Sequence, residues 1–124
     1  TTEIYTLSLH DALPICKDRI FQSFIFSLSQ NFRTHHSVSF YAAEQCLTPR
    51  YFSTIVREKS GRNALQWIMM FIIAEAKKLL SDPDPSIKEI AETLGFSNQS
   101  FFGRYFKQYV GLSPMAFRSS GAEE

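Results

Sequence analysis

The stretch Gly95-Phe96-Ser97-Asn98-Gln99-Ser100-Phe101-Phe102-Gly103-Arg104-Tyr105-Phe106-Lys107, closed by Gly111, decides how the rest of the chain is read. Phe102, Phe106 and Tyr109 recur at helical spacing and form an apolar stripe that must face a core. Gln99, Ser100, Gly103, Arg104 and Lys107 fall largely on the other face, which carries no acid. The pattern predicts a helix over residues 98–109, opened at Ser97 and ended by Gly111. The same pattern stands fifty residues earlier: Phe52, Val56, Arg57 and Gly61 precede Phe102, Phe106, Lys107 and Gly111 by that offset, and Trp67 falls on Phe117. Upstream, Val38, Tyr41, Ala42 and Leu47 match Ile87, Ile90, Ala91 and Phe96 at an offset of forty-nine. Two copies are too few for a solenoid. They are a duplicated short helix, tight turn and longer helix, which is helix-turn-helix geometry.

Punctuation residues extend this reading along the chain. Thr48-Pro49 joins an N-cap residue to a proline at the first helical position, and Gly61 stops that helix. In it Phe52, Ile55 and Val56 point inward, while Arg50, Ser53, Thr54 and Arg57 share the outer face. Asn63 caps a long helix over residues 64–80, which ends at Asp82-Pro83-Asp84-Pro85. Ser86-Ile87-Lys88-Glu89 is a capping box, and Ser113-Pro114 opens a last short helix. Before the first copy, residues 18–32 carry Phe21, Phe24, Ile25, Leu28 and Phe32 as a core-facing stripe. No alternating strand pattern of useful length appears, so the expected class is all-α, two helix-turn-helix subdomains joined by a long linker helix. The expected segments are residues 16–37, a first copy over 38–62, the linker over 63–82, a second copy over 83–119 and a tail over 120–124. The seventeen residues of the linker extend about 26 Å, enough with its flanks to set two recognition helices about 34 Å apart, one turn of B-DNA.

Composition excludes several classes. The chain has 124 residues, 44% of them apolar and 20% charged, an ordinary globular balance. Two cysteines are too few for a disulfide framework, and the longest apolar run, residues 67–74, is too short to cross a bilayer. Residues 1–15, TTEIYTLSLHDALPI, resemble the translation of a sequencing-adapter oligonucleotide. The expectation is therefore that native sequence starts at Cys16 and that whatever once preceded it is lost. The formal net charge is +1; without this leader and its two acids it becomes +3. Residues 48–62 hold four bases and one acid, and residues 97–118 hold three bases and none. Positive charge thus gathers on the two longer helices of the repeat, the distribution phosphate binding needs.

A face of Arg, Gln, Ser and Gly suits a major groove, where Arg pairs with guanine and Gln with adenine. Gly103 inside a helix costs about 1 kcal/mol relative to Ala, which implies close approach of either a DNA backbone or another helix. His35, His36, Cys16 and Cys46 lack the spacing of a metal site, and Cys46 is expected to be a small buried residue. No nucleophile elbow, phosphate loop or paired carboxylates are present, so neither a catalytic residue nor a cofactor is expected. The competing reading is a helical protein-interaction module on the same scaffold.

From about residue 18 to residue 119 the chain resembles the DNA-binding domain of the AraC/XylS family of bacterial transcription regulators. The resemblance is carried by Phe40-Tyr41-Ala42, Leu47-Thr48-Pro49-Arg50-Tyr51-Phe52, Ala76-Lys77-Lys78-Leu79-Leu80, Ser86-Ile87-Lys88-Glu89-Ile90-Ala91, and the stretch quoted at the outset. Gly111-Leu112-Ser113-Pro114 with Phe117-Arg118 completes it. It implies two recognition helices in successive major grooves of double-stranded DNA, in the cytoplasm and at the nucleoid. Base reading would fall on Arg50, Ser53 and Thr54 in the first copy, and on Gln99, Ser100, Gly103 and Arg104 in the second. Phosphate contacts would fall on Arg57 and Lys107 and on the helix starts at Thr48 and Ser97. RNA polymerase is a further implied partner, and an inducer would act through a sensor domain absent here. Met69-Met70-Phe71 departs from the family's more polar linker and is expected to be extra core.

Overall fold

The computed structural model describes residues 14–120, which form seven helices with no strand among them. These are α1 (Pro14–Asn31), α2 (Val38–Glu44), α3 (Pro49–Ser60), α4 (Ala64–Ser81), α5 (Ile87–Thr93), α6 (Gln99–Val110) and α7 (Pro114–Ser119). Of the fifteen leader residues only Pro14 and Ile15 fall within this range, at the start of α1; the rest of the leader and the last four residues lie outside the described residues. The chain divides into two compact units, and the division falls inside α4, between Met69 and Met70.

The first unit is built around an aromatic wedge. Phe24 and Leu28 of α1, Tyr41 and Ala42 of α2, and Phe52, Ile55 and Val56 of α3 are all buried, together with Ala64 and Ile68 of α4. The Phe24 ring stands edge-on to Phe52 at 5.0 Å and to Tyr41 at 5.5 Å. Each such ring contributes about 1.5–3 kcal/mol on burial. The Tyr41 hydroxyl donates to the His35 carbonyl at 2.7 Å. Burial, helped by the Glu44 carboxylate, pushes its pKa up to about 12. The second unit buries Ile87, Ile90 and Ala91 of α5, Leu94 and Phe96 of the turn that follows it, Phe102 and Phe106 of α6, and Phe117 of α7, with Ile72, Ala76 and Leu80 from α4. Here Phe96 packs on Phe102 at 5.2 Å, and Phe106 on Phe117 at 5.4 Å.

The helix ends explain why the elements stop where they do. Thr48 Oγ1 accepts from the Tyr51 N–H at 3.1 Å, and Ser113 Oγ accepts from Ala116 N–H at 3.1 Å. Ser86 and Glu89 form the expected reciprocal box, with bonds of 3.0 and 2.8 Å. Asn63 and Gln66 form a second box from amides, both bonds 2.9 Å, which satisfies the start of α4. Gly61 and Gly111 close α3 and α6 in the left-handed region, at φ 83° and 95°. Arg118 reaches back from α7 and donates to the Leu80 and Asp82 carbonyls at 3.1 and 2.9 Å. A cation there satisfies carbonyls and complements the negative end of the α4 dipole.

Four details differ from the sequence expectation. α6 is capped by Asn98, whose side chain accepts from Phe101 N–H at 2.7 Å; Ser97 lies one residue outside. Tyr109 is 45% exposed rather than core: it occupies the last turn of α6 and packs along that helix on Tyr105. Cys46 is exposed rather than buried, and takes φ 60° at the turn before α3. Met69-Met70-Phe71 is not core: α4 buries the narrow row Ala64, Ile68, Ile72, Ala76 and Leu80, which leaves Met69 and Phe71 half-buried and Met70 exposed.

Candidate nucleic-acid interface

In each copy one apolar row fixes which way the recognition helix faces. Phe52, Ile55 and Val56 are buried under α3, which turns Arg50, Thr54 and Arg57 to solvent. Phe102 and Phe106 are buried under α6, which turns Gln99, Ser100, Arg104 and Lys107 outward with Gly103 at the margin. The outer faces are basic and chemically uncommitted. Among the described residues, Arg50, Arg57, Arg104 and Lys107 take part in no ion pair. The other bases near α3 are spoken for: Lys59 pairs with Asp18 of α1, and the Arg62 guanidinium lies 5.9 Å from the Trp67 ring centroid. Glu58, the acid on α3, is neutralised by Lys17 at 3.1 Å.

Helix starts add neutral donors. In α3, Pro49 brings no N–H, Tyr51 N–H is taken by Thr48, and Phe52 N–H bonds the Thr48 carbonyl at 2.9 Å. The Arg50 N–H is left for an outside acceptor. In α6 the N–H groups of Gln99 and Ser100 are in the same position, since Phe101 and Phe102 bond back to Asn98. Such donors, at the positive end of a helix dipole, suit a phosphate oxygen.

The expected base-reading side chains are not equally free. Arg50 and Arg104 are exposed, as are Gln99 and Ser100. The Arg104 guanidinium lies 6.0 Å from the ring centroid of Phe101. The Thr54 hydroxyl donates to the Arg50 carbonyl at 3.0 Å, so its methyl and oxygen lone pairs are what it can present. Ser53 is half-buried, and its hydroxyl accepts from the Ala64 N–H at 3.4 Å, leaving its proton to offer. Gly103 resolves one question raised by the sequence. A methyl placed on its Cα would meet no heavy atom within 4 Å among the described residues, so tight helix packing is not the reason for glycine.

Sequence reasoning passed over two residues at this surface. Asn98 holds the start of α6, a role signalled by its place three residues before Phe101. Phe101 is 46% exposed beside Arg104, although no periodicity distinguishes it from a core phenylalanine. Tyr105 lies half-buried between Phe96 and Tyr109, at 5.1 and 5.2 Å. Burial, then the neighbouring Tyr109, raises its pKa, so it adds no negative charge to this face.

Residues 41–120 match a protein family described as "Helix-turn-helix domain". The chain is 34% identical over 86 residues to the arabinose operon regulatory protein of Salmonella typhimurium, covering 69% of this chain and 31% of that protein. It is 37% identical over 83 residues to the protein of the same description from Escherichia coli, covering 67% and 28%. The chain thus spans about a third of the length of these relatives. Among solved structures, it is similar to the DNA-binding domain of AdpA, a global transcriptional factor held in complex with a target DNA. That match has a TM-score of 0.70 and 26% identity, over 82% of this chain and 90% of that one. The C-terminal domain of AraT, a response regulator from Geobacillus stearothermophilus, shares the fold at a TM-score of 0.73 and 24% identity, over 89% and 88%.

Proposed function

The chain belongs to the AraC/XylS family of helix-turn-helix regulators, and from that premise we propose that it binds double-stranded DNA sequence-specifically as a transcription regulator. The observation that carries the proposal is the pair of corresponding outer faces, each bearing exposed cations without ion-pair partners. Arg57 and Lys107 occupy the same place in the two copies and anchor phosphates, and the free N–H groups of Arg50, Gln99 and Ser100 offer further donors at the helix starts. Thr48 and Ser97 stand at the same helix starts, Thr48 by holding the first turn and Ser97 as an exposed hydroxyl.

Arg104 reads guanine bidentately and Gln99 reads adenine, while Ser100 and Gly103 let α6 settle deeply in the groove. In the first copy Arg50 is the long reader. Ser53 and Thr54, both already bonded to backbone, read through water or shape more than through direct bonds. The segment boundaries given above divide the labour: residues 38–62 and 83–119 read, and 63–82 space them. Insertion of the two recognition helices into successive major grooves is part of the same proposal.

Contact with RNA polymerase, and an inducer acting through a separate sensor domain, belong to the same proposal for the larger protein that such relatives form. Its place of action would be the bacterial cytoplasm, at the nucleoid. Among the described residues no helix is long and apolar enough to cross a membrane. A random-site selection followed by binding at graded salt tests the reading. Affinity should fall log-linearly with salt, by about 0.9 in slope for each phosphate neutralised. Failure to enrich any duplex, or binding indifferent to salt, would refute it.

A further inference from the structure

Phe101 is out of place for a core residue. Its neighbour Phe102 is fully buried, yet Phe101 leaves 46% of its surface in solvent. Its ring is nevertheless held: Phe96, itself buried, stands edge-on at 5.7 Å and 82°. One helical turn on, the Arg104 guanidinium lies 6.0 Å from the Phe101 centroid, the reach of a cation–π contact. At 3.6 residues per turn the two side chains leave α6 about 60° apart, so a groove that receives one meets the other. The first copy has no such pair, because Tyr51 is half-buried there and Thr54 stands where Arg104 does.

We propose that Phe101 is a specificity-determining contact of the second recognition helix, packing on the 5-methyl of a thymine next to the guanine that Arg104 reads. The inference rests on the DNA-binding reading above. Thymine's methyl is the apolar group on the major-groove edge, and a rigid exposed ring is the complementary surface. The same ring orients Arg104. Before binding it restricts the guanidinium to one side of α6, which lowers the ordering cost of a bidentate bond. Phe101 is thus both a base contact and a positioning residue.

The test uses the site recovered by random selection with the full chain. Each thymine is replaced in turn by deoxyuridine, which removes the methyl and leaves pairing unchanged. One replacement should weaken binding about fourfold, the worth of one buried methyl, and the same replacement should leave Phe101→Ala unaffected. Phe101→Ala should also relax selection at the adjacent guanine, and Phe101→Leu should restore part of the methyl effect. Deoxyuridine effects identical in wild type and Phe101→Ala overturn the proposal, as does a Phe101→Ala penalty uniform over all sequences. If the wild-type chain selects no duplex at low salt, the DNA-binding reading falls and takes this one with it.

Discussion

At an offset of fifty residues, Ser53 of the first copy stands where Gly103 of the second stands, and Ala64 where Pro114 stands. The two differences answer each other. Ala64 opens α4 with an N–H that needs an acceptor, and the Ser53 hydroxyl provides it at 3.4 Å. Pro114 opens α7 with no N–H, so nothing in the second copy asks for a hydroxyl at position 103. That freedom lets glycine stand on the proposed DNA-facing surface. The turns differ in the opposite sense: Gly95 holds φ 83° before α6, while Cys46 holds φ 60° before α3. The frame is therefore common, and each copy spends its backbone freedom at a different place: the first copy is tied to its neighbour and strained at its turn, the second relaxed at its turn and open at its groove face.

The largest effect should come from the shared frame. Phe52 and Phe102 are both fully buried, and replacing either by Ala should cost about 3–5 kcal/mol. Denaturant unfolding with a probe in each unit would show whether the two cavities act separately, and an unchanged melting curve for either would break the equivalence. Next, Arg104→Ala should cost about 1–3 kcal/mol of binding and relax selection at one base pair. Uniform weakening across sequences would make Arg104 a phosphate anchor, the role proposed for Lys107.

Two smaller effects separate the copies. Gly103→Ala should stabilise the fold by about 1 kcal/mol through helix propensity, since nothing in the fold opposes the methyl. The same variant should bind its selected site more weakly. A stabilised protein with undiminished binding would remove Gly103 from the interface. Cys46→Gly should raise stability by up to about 1 kcal/mol by relieving the left-handed turn, with selection unaltered. A loss of stability there would mean that the cysteine side chain contributes more than its backbone costs.

Much of this was legible in the sequence because caps, stops and buried rows are local signals. Thr48, Ser86 and Ser113 cap where their spacing predicts, and Gly61 and Gly111 stop α3 and α6. The repeat offset alone picked out Phe52 and Phe102 as equivalent wedges. What escaped depends on what lies across from a residue. Tyr109 keeps the periodicity of the stripe but stands on the last turn of α6, where it packs on Tyr105 and stays 45% exposed. Met69-Met70-Phe71 is apolar on every side of α4, and only the partners of Ile68 and Ile72 decide which side is inside. Cys46 escaped because a left-handed backbone is read from glycine; the offset of forty-nine that aligns it with Gly95 was the available signal. Ser97 and Asn98 are both good caps, and a one-residue choice between them turns on backbone angles.

The clasp made by Arg118 sets an order on how the protein is made. Chains emerge N-terminus first, and a unit folds once its closing contacts are available. α1, α2 and α3 hold the Phe24, Tyr41 and Phe52 wedge, and the first turns of α4, with Ala64 and Ile68, complete that unit. The second unit must wait, because Arg118 bonds the end of α4 thirty-eight residues upstream and Phe117 supplies a wall of the pocket for Phe106. During synthesis there is thus an interval in which one reading head is complete and the other is not. A stop codon just ahead of Phe117 would prolong that interval indefinitely, leaving a protein with half its address.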